Sequence, residues 1–237
     1  VALHGMSWTE NWWGRRVNLN DVPLEGNGDL TLYDTESNEV IYKTSFSSLF
    51  QEWITTEEAK HVTKSFEFTL LVPMPKHEIL REVVLRDNTG KESRLKHYIT
   101  PDDALIHDLS AMQPLPYTYI HKGGDSKECI DVVILAEGYT TEQMGTFMED
   151  AKITTEEILS YEPFNSHRDK FNFIAVATPS KDSDVSVPHG LAWRETAVNS
   201  NFTTFYMWRY LTTGNIYDMF DLTTNIPTEH FIILANT

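Results

Sequence analysis

The chain has 237 residues, of which 41% are hydrophobic and 12% aromatic, enough for one large globular domain or two ordinary ones. Its 35 acidic and 19 basic residues give a formal charge of -16, which argues against a nucleic-acid partner because phosphates require a basic surface. No apolar run approaches the roughly 20 residues that a membrane helix needs, so we expect no membrane span. The single cysteine, Cys129, excludes an internal disulfide and is interpreted as a small core residue.

Residues 1–100 have the short alternating patterns of β-strands. Turn signals separate the strands, and Phe46 to Ala59 is predicted to hold a short helix or turn. Several short strands of this kind predict a β-sandwich. The predicted strands are Asp29 to Asp34, Glu39 to Thr44, Ser65 to Val72, Ile79 to Arg86 and Ser93 to Ile99.

Residues 101–128 hold three prolines and the pair Gly123-Gly124 but no sustained periodic pattern. We interpret this stretch as a linker, partly packed on its neighbours because it also contains apolar residues. The predicted division is therefore a β domain of residues 1–100, the linker, and a second domain of residues 129–237.

The second domain begins with a change to an α/β pattern in the stretch Cys129 to Tyr161. An apolar run rich in β-branched residues, Ile130 to Ala136, predicts a buried strand. Thr140 and Gln143 then fit a capping box, and apolar residues recur every three or four positions after it. A second apolar run, Phe171 to Ala177, completes a βαβ unit, whose two strands we expect to be parallel.

The remaining elements follow in order after this unit. Thr178 to Ser200 is a long loop, and loops of this length in a compact domain are usually functional or mobile. The aromatic-rich segment Asn201 to Leu211 is predicted to be helical, and Asn215 is expected to cap a further helix that ends at Leu222. Glu229 to Asn236 is predicted as a third buried strand. The fold class is therefore α/β with a separate all-β domain.

The common catalytic motifs are absent from the sequence. It contains no GxSxG nucleophile motif, no phosphate-binding loop and no His-Glu-x-x-His. No two of the nine histidines lie within one helical turn, so none forms the pair that grips zinc from a helix face. Glu137 falls at the carboxyl end of a predicted parallel strand, where α/β sheets place their sites, although a turn residue beside a glycine is the favoured interpretation. The segment Lys181 to Asp184 is interpreted as a solvated loop.

Several long stretches resemble the bacterial immunoglobulin-A metallopeptidase family. In the second half these are ILAEGYTTEQMGTFMEDA, EPFNSHRDKFNFIAVATPSKDS and EHFIILANT. In the first half, WWGRRVNLNDVPLEGNGDLTLYD and VIYKTSFSSLFQEW resemble the β-sandwich domain that precedes the peptidase domain. Two positions depart from the expected pattern: Asp184 stands where a glycine is expected, and Trp208 where a small polar or acidic residue is expected.

The resemblance implies a secreted, periplasmic or cell-surface zinc endopeptidase with a zincin-like catalytic domain, acting on a protein or peptide substrate. It also implies that this chain is a fragment that begins within the first domain and stops before the zinc-binding His-Glu-x-x-His helix. No catalytic or metal-ligating residue is therefore assigned here, and zinc is expected only in the full-length parent. Ala235 and Asn236, near the strand that pairs with extended substrate in such sheets, are the candidate substrate-binding residues.

Two alternatives remain open at this point. A non-catalytic module could bind a glycan or a protein through an aromatic surface formed by Trp8, Trp12 and Trp13. A doubly wound hydrolase with another mechanism is disfavoured by the missing nucleophile motif. The sequence alone defines neither the substrate nor the oligomeric state.

Overall fold

A computed structural model describes residues 1–22 and 24–237 of the chain. The chain divides into two compact units, Val1–Ala111 and Met112–Thr237. Unit 1 is β-rich and unit 2 is α/β, as the sequence patterns predict. Within the described ranges, the structure contains no helix that combines the length and the apolar character needed to cross a membrane.

Unit 1 is built on a four-stranded antiparallel sheet with the strand order β3-β2-β4-β5. A second sheet is a parallel pair of two short strands, β1 and β6. The elements in chain order are β1 (Met6–Trp8), β2 (Gly28–Asp34), β3 (Val40–Phe46), α1 (Leu49–Trp53), β4 (Ile79–Arg86), β5 (Glu92–Ile99) and β6 (Ile106–Asp108).

The core of unit 1 lies on one face of the four-stranded sheet. Leu30 and Leu32 on β2 are almost fully buried there, because alternate side chains of a strand point to the same face. Met6 and Ile106 pack against this core, so the two-stranded pair covers part of that face. The three tryptophans of the predicted binding surface are all half-buried, and the ring of Trp12 meets that of Tyr42 edge-on at 6.1 Å.

The predicted strand Ser65 to Val72 is wrong, because these residues form no ladder with a neighbouring strand. Their apolar side chains serve a different purpose. Leu70 and Val72 pack on the core of the sheet, and the ring of Phe66 lies 5.6 Å from that of Trp53. An apolar covering segment and a strand share the same composition, so sequence pattern does not distinguish them.

Unit 2 is built on a second four-stranded sheet, with the order β10-β8-β9-β7. β10, β8 and β9 are parallel, whereas β7 runs antiparallel to β9. The elements in chain order are β7 (Tyr117–Lys122), β8 (Ile130–Glu137), α2 (Met144–Ser160), β9 (Phe171–Val176), α3 (Ile216–Asp221) and β10 (His230–Ala235). The predicted βαβ unit and the predicted third strand are confirmed.

Both faces of this sheet are covered. Ile134 and Ala136 of β8 face a core that contains Phe147 of α2, whereas Val133 and Leu135 face a core on the opposite side. A strand that is buried on both faces must be apolar at successive positions, which explains the continuous apolar run in the sequence. The predicted capping box at the start of the helical segment is present, with Thr140 N donating to Gln143 Oε1 at 2.9 Å.

The stretch predicted as a linker, residues 101–128, contains two strands. β6 pairs with β1 in unit 1, and β7 pairs with β9 in unit 2. The boundary between the units falls between Ala111 and Met112.

The predicted helix from Asn201 to Leu211 is wrong. This segment holds only a short 3-10 turn, and Thr203, Phe205 and Tyr206 have positive φ values between 54° and 66°. A reciprocal pair of backbone hydrogen bonds joins Asn201 and Thr212 at 3.0 and 3.2 Å, which folds the segment back on itself and prevents a continuous helix. The predicted helix after Asn215 is present as α3.

Candidate functional site

The carboxyl ends of the parallel strands meet at one edge of the sheet in unit 2. Ala235 of β10 lies opposite Glu137 of β8 in the strand register. Asn236 N then donates to the main-chain oxygen of Glu137 at 2.8 Å. This edge is where open α/β sheets place their ligands, and it carries both predicted substrate-binding residues, Ala235 and Asn236.

Glu137 is a fully buried carboxylate with three hydrogen-bond donors, all from the long loop of residues 178–200. Thr196 Oγ1 donates to Oε1 at 2.6 Å, Ser200 N to the same oxygen at 2.8 Å, and Val198 N to Oε2 at 3.0 Å. The favoured interpretation of Glu137 as a turn residue misses this role. The available signal was a carboxylate placed at the end of an uninterrupted apolar run, where a charge needs internal partners.

Ser180 holds the beginning of the same loop against the turn after β8. Its hydroxyl oxygen accepts hydrogen bonds from Gly138 N at 2.9 Å and from Ala197 N at 3.0 Å. Its own amide donates to Tyr139 O at 2.7 Å. The long loop is therefore attached to the turn after β8 near both of its ends.

Gly138 and Asp184 approach each other closely. Gly138 has a φ of +73°, and a Cβ added there would lie 2.6 Å from Asp184 O. Asp184 N donates to Gly138 O at 3.0 Å. Asp184 itself has a φ of 73°, in the left-handed region that favours glycine. This conformation explains why the resemblance leads one to expect a glycine at this position.

The side-chain amide of Asn236 is engaged within the protein. Its Nδ2 donates to Gly138 O at 2.9 Å and lies 3.2 Å from Ser183 Oγ. It therefore connects the end of β10 to the turn after β8 and to the long loop. The assignment of Ala235 and Asn236 to substrate binding stays a prediction.

A cleft of about 310 Å³ lies beside these residues, between α2 and β10. Tyr139 OH donates to Asp150 Oδ2 across it at 2.9 Å. Burial, together with this carboxylate, raises the pKa of Tyr139 above its usual range, so the hydroxyl stays protonated and remains a donor. The lining residues are Tyr139, Asp150, Ile153, Thr154, Leu234, Ala235, Asn236 and Thr237.

The segment Lys181 to Asp184 is an exposed loop with internal partners. Lys181 Nζ lies 2.6 Å from Glu195 Oε2, and Asp182 Oδ2 accepts a hydrogen bond from Glu195 N at 2.8 Å. Trp208, the second position that departs from the expected pattern, is 68% exposed, and its ring centroid lies 4.0 Å from that of His189.

A second buried polar cluster lies at the opposite, amino ends of the strands. Asp131 is fully buried, and its Oδ1 accepts hydrogen bonds from Asn172 Nδ2 at 2.8 Å and from Ser126 Oγ at 3.1 Å. Asp131 N donates to Glu229 Oε2 at 3.2 Å. Burial raises the pKa of both carboxyl groups, that of Glu229 to about 7. These are the two carboxyl groups of unit 2 whose pKa is raised.

Cys129 lies beside this cluster and is buried, as predicted. Its Sγ lies 3.4 Å from Asp169 O. Burial raises the pKa of the thiol, which lowers the fraction of reactive thiolate at neutral pH.

The described residues do not fit the zinc ion that the resemblance implies. Among residues 1–22 and 24–237, no three His, Cys, Asp or Glu side chains lie close enough together to hold a metal ion. This chain therefore offers no metal-ligating set of its own in those ranges, and no reaction step is assigned to it.

Two family models match the chain and together cover most of it. Residues 1–96 match the model described as Peptidase M64 N-terminus, and residues 118–237 match the model described as IgA Peptidase M64. The comparison with curated proteins gives no match. The second match begins within β7 and spans the candidate site.

Proposed function

The chain belongs to the IgA Peptidase M64 family, and from this premise we propose that it is part of a secreted zinc-dependent endopeptidase. In this proposal, unit 1 is a β-sandwich accessory domain and unit 2 is the front part of a zincin-like peptidase domain. The protein acts outside the cytoplasm or at the cell surface. Its substrates are proteins or peptides, and its zinc ligands lie outside this sequence.

The architecture of unit 2 supports this proposal. Parallel strands joined by a crossover helix end at a common edge, where a cleft opens between α2 and β10. β10 is the outer strand of the described sheet, and an outer strand can pair with an extended peptide through main-chain hydrogen bonds. The observation that carries the proposal is the family match across the whole of this sheet.

The substrate-side role falls to the end of β10. Ala235 lies in the lining of the cleft, at the end of β10. Asn236 holds the strand end against the turn after β8. The bound peptide would lie along β10 and place one side chain in the cleft.

Zinc content tests the assignment of the metal ligands. We expect the purified chain to retain far less than one zinc per molecule after dialysis, because its described residues contain no ligand cluster. We also expect the coding sequence after Thr237 to encode a His-Glu-x-x-His motif. Tight one-to-one zinc in this chain would overturn the first expectation, and the lack of that motif would refute the zinc-peptidase assignment.

Binding of fluorescein-labelled casein tests the substrate-side role. Ala235→Trp places a large side chain at the end of β10 beside the cleft, and we expect it to weaken casein binding at least tenfold. Ser93→Trp on the exposed part of β5 is the matched control and should bind as the wild type does. Equal binding by all three proteins, or no binding by the wild type, would contradict the role given to β10.

A further inference from the structure

We infer that Glu137 is a positioning residue, which holds the loop of residues 178–200 against the end of β10 and so fixes the position of the substrate-binding strand. This inference rests on the proposed function, because β10 is the strand assigned there to the peptide substrate. The family match does not assign any role to Glu137, and its side chain is fully buried, so it acts through the loop rather than by touching substrate.

The first argument is the number and origin of the donors. The hydroxyl of Thr196 and the amides of Val198 and Ser200 all point to one carboxylate, at 2.6 to 3.0 Å. The loop has no regular secondary structure at these positions, so without Glu137 both amides would lose their partners inside the protein. Buried N–H groups without partners are costly.

The second argument is that Glu137 also fixes β10. Its main-chain oxygen accepts a hydrogen bond from Asn236 N at 2.8 Å, while its side chain holds the loop. The strand end and the loop are thus attached to the same residue. Asn236 Nδ2 also lies 3.2 Å from Ser183 Oγ, which connects the end of β10 directly to the loop. A shift of Glu137 would therefore change the position of the end of β10 relative to the loop.

The third argument comes from the neighbouring turn. Gly138 leaves no room for a side chain because Asp184 O occupies that space. Ser180 links the same turn to Ala197. These contacts bring the loop to the turn but leave the amides of Val198 and Ser200 to the carboxylate alone. Glu137 therefore holds the second half of the loop together with Ser180, which accepts from Ala197 N, and Thr213, whose hydroxyl donates to Val198 O.

The test compares Glu137→Gln with the wild type in two measurements. Glutamine has the same shape but replaces one acceptor oxygen with an NH₂ group, which faces N–H donors. We expect amide hydrogen exchange at Val198 and Ser200 to become at least tenfold faster, and casein affinity to fall at least tenfold. The unfolding transition should remain cooperative. Glu149→Gln on the exposed face of α2 is the matched control and should change neither measurement.

Thr196→Val provides a second variant that leaves Glu137 in place. It removes one of the three donors, so we expect a smaller change in the same direction in both measurements. If Glu137→Gln does not fold, Thr196→Val alone decides the question. The two changes should not add in the double variant, because they remove the same contact.

The outcomes separate this inference from the proposed function. A wild-type chain that does not bind casein refutes the proposed function, and with it the role of β10 in substrate binding. Wild-type binding combined with unchanged affinity in Glu137→Gln and Thr196→Val refutes only the positioning role. Unchanged amide exchange at Val198 and Ser200 in these variants also refutes it, whereas faster exchange with weaker binding supports it.

Discussion

Units 1 and 2 each contain a four-stranded sheet, but they bury these sheets differently. In β5 of unit 1, only Ile99 is buried. In β8 of unit 2, every residue from Asp131 to Glu137 is buried. Antiparallel hairpins leave one face of a sheet free for solvent, whereas crossover connections of parallel strands cover both faces. The type of connection between strands therefore determines how many polar groups each unit must bury.

The acidic groups follow this difference. In unit 1, two carboxylates of the sheet have charged partners: Arg86 pairs with Asp29, and Arg94 pairs with Glu82. In unit 2, Asp131 and Glu137 are fully buried, and their partners are mostly main-chain amides, hydroxyls and an amide side chain. A buried carboxylate without such partners would be costly, so unit 2 buries these carboxylates where loops, turns and a neighbouring strand supply donors.

Truncation of successive side chains gives the sharpest test of this comparison. In β8, Ile134→Ala and Leu135→Ala should each cost about 2–5 kcal/mol of unfolding free energy, because both faces are packed. In β5, Ile99→Ala should cost about the same, whereas Tyr98→Ala, at a side chain 60% exposed, should change stability by only about 0.5 kcal/mol. Denaturant titration measures all four. A small effect at either β8 position would break the comparison.

Two glycines with positive φ provide a smaller contrast. Gly138→Ala should cost roughly 2 kcal/mol or more, since the methyl group would meet Asp184 O in addition to the backbone strain. Gly90 in the β4–β5 turn has a φ of +81° and open space around it, so Gly90→Ala should cost only about 1 kcal/mol. Equal losses in thermal or denaturant unfolding would show that the contact with the loop contributes nothing.

The units are also expected to respond to pH in opposite directions. In unit 2, burial raises the pKa of Glu229 from 4.5 to about 7, so its stabilising effect is complete below about pH 4.5 and is lost as the pH rises through about 7. The effect should be on the order of 1 kcal/mol, after allowance for the solvent-exposed part of the side chain. Glu229→Gln should remove this part of the pH dependence in denaturant titrations between pH 5 and pH 8.

In unit 1, Asp34 shows the opposite sign. Hydrogen bonds from Ser37 N and then from His77 lower the pKa of its carboxyl group below the usual 3.8. Its stabilising effect is therefore present above that ordinary value and is lost as the pH falls through the lowered one. Asp34→Asn should lower the stability at neutral pH, weaken the acid dependence and leave the slope of stability against pH near pH 7 unchanged. An unchanged acid transition in this variant would contradict the assignment.

Exposed ion pairs are expected to contribute equally little to the stability of the two units. Lys60 pairs with Glu57 in unit 1, and Lys152 pairs with Glu149 on α2 in unit 2, both three residues apart. Because such pairs are exposed and screened, Lys60→Ala and Lys152→Ala should each change the unfolding free energy by less than about 0.5 kcal/mol. A clearly larger loss for one of them would indicate a contact beyond the pair.

The sequence predicted the buried strands of unit 2 better than the irregular segments of either unit, for a physical reason. Runs such as Ile130 to Ala136 have few structural alternatives, and the capping box specifies the start of a helix through its own side chains. The strand predicted for Ser65 to Val72 is absent because its apolar residues pack on the core of the unit 1 sheet instead of forming a ladder. The helix predicted for Asn201 to Leu211 is absent because backbone hydrogen bonds with Ser186 and Thr212 fold the segment back on itself. The local sequence pattern contains no information about contacts with residues elsewhere in the chain.

The candidate site shows the same limit. The location at the carboxyl end of β8 was predictable from strand order, since parallel strands end together. The three donors to Glu137 come from positions 59 to 63 residues further along the chain, and no short motif marks them. The glycine expected at Asp184 was a correct signal of left-handed backbone geometry, although its contact with Gly138 required the fold.

The single buried thiol of Cys129 has a practical consequence for experiments on unit 2. With its Sγ 3.4 Å from Asp169 O and its residue only 7% exposed, it should react slowly with a disulfide reagent while the unit is closed. Its labelling rate then reports how often that half of the molecule opens, without an introduced probe or interference from any other sulfhydryl. The labelling rate of Cys129 therefore measures the local unfolding of unit 2.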